Sequence, residues 1–248
     1  IKVESPEGDL MRQWPPILDG YSQYFASVNR NKRSVVLDLK TETGRAAARQ
    51  LAQSADILLE NFRPGVMAKF GLDYATLMKD HPALVYCSVS AFGQTGPRAT
   101  EGGFDMTVQA MSGVMSVTGD RDGRPAKCGI PIADFSAGLY AAFSVTAALH
   151  KARATGQGDH VDVSMLGSML GIANLQTSEL FATGRDPERL AYITQTTLSV
   201  DDTGEGFRLV AQVQSPPVDD RHSREERDRL FFEAMMRVMD RELPGYAD

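Results

Sequence analysis

The sequence predicts an α/β fold, a parallel sheet covered by helices, on two observations. Short apolar or β-branched runs alternate with helical stretches through residues 34–89. Those runs are apolar along nearly their whole length, as strands buried on both faces are. Ser34–Leu39 reads as the first of them. Thr41 offers a helix cap, and Gly44–Ser54 continues as a helix rich in Ala, Arg and Gln. Ala55–Glu60 is the next strand. Pro64-Gly65 turns into a helical stretch ending near Phe70, and Tyr74–Asp80 forms a short helix stopped by Pro82. Ala83–Val89 is the third strand.

Outside that core the pattern is coarser. Residues 1–34 contain Pro6, Gly8, Pro15, Pro16 and Gly20, and are expected to be irregular. Residues 92–103 form a loop rich in Gly, Thr and Pro, followed by a helix over Asp105–Val117 and a polar turn at Gly119–Gly123. Phe135–Arg153 is a long helix, apolar nearly all round, a pattern that places it in the interior. Gly156-Gln157-Gly158 ends it, Val161–Ser164 is a brief strand, and Met165–Ala182 a further helix. From Asp186 to Val218 periodicity is weak. Arg221–Glu242 reads as a solvated amphipathic helix of mixed charge.

A chain of 248 residues suffices for one large domain, or one with a small appendage. A net charge of -6 supplies no basic face for nucleic acid. Local clusters at Arg30, Lys32 and Arg33, and at Arg63 and Lys69, suit a phosphorylated small molecule instead. Cys87 and Cys128 have no CxxC partners, so no disulfide framework is expected and a reducing cytoplasm is the predicted location. No apolar run approaches the length of a membrane span and no signal peptide is visible, so no membrane partner is expected. The chain opens at Ile1 without Met, which predicts a start further upstream. His81, His150, His160 and His222 lack ligand spacing, and no HExxH, phosphate-loop or serine-elbow pattern occurs, so no metal is expected.

Three segments carry the chemistry. Asn29–Lys40 holds the run NRNKRSVVLDLK. Asp56–Gly65 reads DILLENFRPG and continues through Gly71-Leu72, with Ser88–Pro97, SVSAFGQTGP, close behind. Gly129–Gly138 reads GIPIADFSAG, followed by Thr155–Gly158 and Val161–Met165. In this order and spacing the set closely resembles the class III CoA-transferases, which include acyl-CoA racemases. The resemblance covers residues 1–190, the family's large Rossmann-like domain without its first strand, which is expected before Ile1. Residues 191–248 lose the pattern; Gly204–Val210 reads as a relic of the small domain, ahead of the amphipathic helix.

The resemblance implies transfer of CoA from an acyl-CoA thioester to a small carboxylic acid, with coenzyme A entering as co-substrate. It makes Asp134 the nucleophile. By pattern alone Asp134 lies between an extended Ile-Pro-Ile stretch and the long helix, a helix-cap position. The two roles are compatible, since a helix start holds a carboxylate ionised and offers backbone donors to an oxyanion. Asp105 matches an acidic active-site position of the family, and equally reads as the cap of its own helix. For CoA binding the resemblance points to Asn61 and Phe62 after the second strand. It adds Arg63, Lys69 (where a family member has a CoA-binding arginine) and Gln94. By pattern alone these cations read equally well as solvated side chains, and Gln94 as a plain turn residue. The racemase branch has a proton-carrying histidine where this chain has Phe104, which disfavours epimerisation by that route. A shortened member that is non-catalytic or partner-dependent is the other alternative. The family's subunits thread through one another as linked rings, so the resemblance implies a homodimer, interlocked or side by side.

Overall fold

The computed structural model describes residues 1–119, 123–187 and 189, and the backbone alone of 197–202 and 207–212. The expected helix over Arg221–Glu242 and the centre of the polar turn at Gly119–Gly123 lie outside these residues. The strands are β1 (Lys2–Glu4), β2 (Ile17–Leu18), β3 (Tyr21–Ser22), β4 (Ser34–Val36), β5 (Ile57–Glu60), β6 (Val85–Ser90), β7 (His160–Ser164), β8 (Thr197–Asp202) and β9 (Phe207–Gln212). The α-helices are α1 (Gln23–Asn29), α2 (Glu42–Gln53), α3 (Val66–Lys69), α4 (Tyr74–Leu77), α5 (Asp105–Met111), α6 (Ile132–Thr155), α7 (Met165–Ile172) and α8 (Asn174–Thr183). They divide between two compact units, residues 1–112 with 128–177 and residues 113–127 with 178–248.

In the first unit β5, β6 and β7 form an all-parallel sheet flanked by helices, as expected of an α/β fold. The strand at 34–39 does not join it. It shortens to β4 and pairs in parallel with β1, while β7 takes the third place beside β6. Thr41 caps α2 as expected, accepting from the Gly44 N–H at 3.0 Å, and Asp73 does the same for α4. Leu72, Leu77, Leu84, Met67 and Ala52 close a core over Tyr86, with Leu58 and Tyr74 packed against it.

Residues 1–34 are not irregular. The Glu4 carboxylate, 5% exposed, accepts both Nε and Nη2 of Arg12 at 2.8 Å, the Ser34 hydroxyl at 2.6 Å and the Asp9 N–H at 3.0 Å. Arg12 also lies 4.0 Å over the Phe25 ring. Ser22 accepts from the Phe25 N–H and starts α1. The Pro and Gly residues mark turns between short elements rather than a long coil.

The long helix α6 begins at Ile132, earlier than the expected Phe135, and stops at Gly156. It is not buried all round. Ala133, Ala137, Ala141, Val145, Ala148 and Ala152 are buried, whereas Phe135, Leu139 and Phe143 are 52%, 72% and 76% exposed. Small side chains let the helix lie close to β6 and β7, and the bulky ones face away. By length and composition α6 is long and apolar enough to cross a bilayer, contrary to the expectation that no apolar run approaches that length. Its contacts with β6, β7, α5 and α7 make it a core helix of this unit. The helix expected over Asp105–Val117 ends at Met111, because Gly113 takes a φ of +79°, outside the helical range. Met165–Ala182 breaks into α7 and α8 at Ala173.

In the second unit β8 and β9 pair antiparallel, from Thr197 opposite Gln212 to Asp202 opposite Phe207. An antiparallel strand pair thus occupies part of the stretch that showed only weak periodicity. Arg189 donates to the carbonyls of Ser116, at 2.7 Å, and Gly123.

Candidate active site

Asp134 is the third residue of α6, not its cap; Pro131 holds the cap position and offers no side-chain acceptor. The cap comes from α5. Asp105 Oδ1 accepts the Ala133 N–H at 2.8 Å and, more weakly, the Asp134 N–H at 3.4 Å. Asp105 therefore caps the helix that carries Asp134 rather than its own, where Phe104 stands at the cap. The Ile132 N–H bonds the Ile130 carbonyl and the Phe135 N–H that of Pro131. Every donor in the first turn of α6 is thus engaged within the chain, so these N–H groups are not free for an oxyanion as the sequence suggested.

The Asp134 side chain is open to solvent at the surface of this unit. Partial burial first, and the neighbouring Asp105 charge second, raise its carboxyl above the ordinary aspartate value. Behind the pair lies Gln109, fully buried at 0% exposure. Its Nε2 donates to Asp105 Oδ2 at 2.6 Å, and its Oε1 accepts the Cys128 N–H at 2.9 Å. The sequence reading passed over Gln109; the available signal was its place four residues after Asp105 on one helix face.

A second group gathers on one face of the parallel sheet, from the starts of β6 and β7, where Tyr86 and His160 stand, to the end of β5 at Glu60. Leu58, Tyr86 and His160 lie abreast across β5, β6 and β7, and Glu60, Ser88 and Asp162 form the next row. His160 stacks on Tyr74 with centroids 5.0 Å apart, and its Nε2 lies 3.0 Å from the Ser88 hydroxyl. A cleft here is lined by Glu60, Arg63, Tyr74, Ser88, Gln94 and His160 among others. It brings Arg63 and Gln94 together. Asn61, Phe62 and Lys69 are exposed nearby in the chain but outside that lining, as are Asp105 and Asp134. Asn61 donates to the Val89 carbonyl at 2.7 Å and ties the ends of β5 and β6 together. The Phe62 N–H bonds the Glu60 carboxylate. Gly93, at a φ of +90°, lets the loop fold back so that the Gln94 N–H reaches Asp162 Oδ2 at 2.9 Å. The Gln94 side-chain Nε2 is buried without a hydrogen-bond partner.

A profile of CoA-transferase family III matches residues 1–216. The chain belongs to this family. It is 42% identical over 221 residues to a succinate–glutarate CoA-transferase of Agrobacterium fabrum, covering 85% of this chain and 55% of the relative. It is 43% identical over 192 residues to an acetyl-CoA:oxalate CoA-transferase of Acetobacter aceti, covering 77% of this chain and 49% of the relative. Among solved structures, a CAIB/BAIF family protein from Brucella suis superposes with a TM-score of 0.73 at 38% identity, over 83% of this chain and 56% of that one. The chain thus spans about half the length of the curated relatives it matches.

Proposed function

We propose that this family III chain moves CoA from an acyl-CoA thioester to a carboxylic acid, with Asp134 as the nucleophile. The observation that carries the reading is the Asp134 carboxyl, open to solvent at the start of a long core helix and made more basic by its surroundings. A more basic carboxylate is a better nucleophile, and a fixed helix start holds it in one place.

The transfer runs in four steps. An Asp134 oxygen attacks the thioester carbonyl, and the C–S bond breaks, giving a mixed anhydride and CoA thiolate. The thiolate attacks the Asp134 acyl carbon, the anhydride C–O bond breaks, and the donor acid leaves as its carboxylate. An acceptor carboxylate then attacks the aspartyl thioester, again releasing thiolate and forming a new anhydride. Attack of the thiolate on the acceptor's acyl carbon gives the new acyl-CoA and restores Asp134.

In this reading Arg63 and Lys69 meet CoA phosphates, and the buried, unpartnered Gln94 amide supplies a donor. Asn61 and Phe62 shape the strand end beside them. The relatives' names pair succinyl or acetyl groups with glutarate, oxalate or mesaconate, so succinyl-CoA with glutarate is the first assay pair. A homodimer belongs to the same reading, supported by the exposed stripe Phe135, Leu139 and Phe143 on α6; sedimentation of a Leu139→Asp variant beside the wild type tests it.

The experiment for the function is CoA transfer by the wild type and by Asp134→Asn. Transfer is expected to fall on the order of 10⁴-fold or more in the variant. An unchanged rate, or a wild type that binds CoA and transfers nothing, overturns the reading.

A further inference from the structure

Gln109 touches neither exposed surface nor cleft, yet it joins two segments that meet at the start of α6. Its amide is oriented without ambiguity. The Cys128 backbone N–H can only donate, so it fixes Oε1 as the acceptor, and Nε2 is left to face Asp105. At 2.6 Å that donor is met by Asp105 Oδ2 as its acceptor. The other oxygen, Oδ1, is thereby turned to the Ala133 and Asp134 N–H groups. A longer contact of 3.5 Å runs from Nε2 to the Ile130 carbonyl, two residues before α6 begins.

We propose that Gln109 is a positioning residue for the transfer reaction: it holds the Asp105 carboxyl in its orientation and the 128–131 stretch in register, and so fixes where Asp134 stands. The inference rests on Asp134 being the nucleophile. Through Asp105 it also acts on the reactivity of that nucleophile, because the Asp105 charge is one cause of the raised Asp134 carboxyl. Few other ionisable groups face this junction. Among the described residues, α6 brings Asp134 near it and the 128–131 stretch brings Cys128, while α7, also packed on α5, has no ionisable side chain.

The test compares wild type, Gln109→Ala and Gln109→Glu. It measures the rate of the covalent adduct on Asp134 with succinyl-CoA, the KM for succinyl-CoA, and amide hydrogen exchange at Ala133 and Asp134. Gln109→Ala is expected to slow the adduct about 10- to 100-fold, the usual cost of a displaced reacting group, with KM nearly unchanged and exchange at both amides faster. Gln109→Glu keeps the shape but sets two carboxylates face to face, so that one proton must be shared. Its rate is expected to decline on the alkaline side and recover as pH falls, a limb the wild type lacks. If Gln109→Ala does not fold, this limb decides. Wild-type adduct rates and pH profiles in the folded variants overturn the inference, as does a loss lying wholly in KM. A wild type that forms no adduct overturns the nucleophile assignment instead, a different result that the exchange data leave separately readable.

Discussion

Two carboxyls, Asp134 and Glu4, are pushed in opposite directions by their neighbours, and each has a pH signature. At Asp134 burial and Asp105 raise the folded-state value, so the fold holds that proton longer than the unfolded chain does. The penalty for ionising it is complete above the folded value and disappears below the unfolded one, near 3.8. Asp134→Asn is therefore expected to raise Tm at neutral pH while abolishing transfer, with the gain fading as pH falls through that window; thermal melts across pH check this. Glu4 behaves oppositely. Arg12 first, then Ser34, hold its carboxyl down to about 2 from an ordinary 4.5. Its contribution to stability is complete above 4.5 and is lost as pH falls from there toward about 2. Glu4→Gln is expected to lower Tm at neutral pH and to flatten the acid limb of the stability curve. A melt series with the wild-type slope retained would contradict that account of β1.

At the scale of elements, what the sequence revealed and what it hid follow from the range of each signal. Caps are local: Thr41 before α2 and Pro82 after the α4 region announce themselves within a few residues. The alternation of strands and helices over 34–89 predicted the parallel sheet for the same reason. Pairing partners are not local. Nothing in the sequence of β4 distinguishes β1 from β5 as its neighbour. The Asp105 cap reaches α6 across 28 residues and leaves no periodic trace. The burial of α6 was misread because its two faces differ in size, Ala against Phe and Leu, and not in polarity. Asp134 became a candidate through the ordered set of family segments, whereas Gln109, a lone buried amide, carried only an i, i+4 relation to Asp105. The packing beneath α3 and α4 supports the cleft, and Leu77, 2% exposed, is central to it. Leu77→Ala is expected to cost about 2–5 kcal/mol in denaturant unfolding. A cost well under 1 kcal/mol would mean that this cluster is not the core of the unit.

At the scale of the whole molecule, a chain that spans about half the length of the curated relatives it matches carries the family profile over residues 1–216 and the segment that bears Asp134. Family membership rests on that extent of similarity; activity rests on whether one carboxyl reacts. The most direct measurement is intact-protein and peptide mass spectrometry after incubation with succinyl-CoA, the adduct being trapped with hydroxylamine or borohydride. A modification that maps to Asp134 and is absent from Asp134→Ala is the expected result. Bound CoA with no modification at Asp134, or one that persists in the variant, would contradict the covalent account.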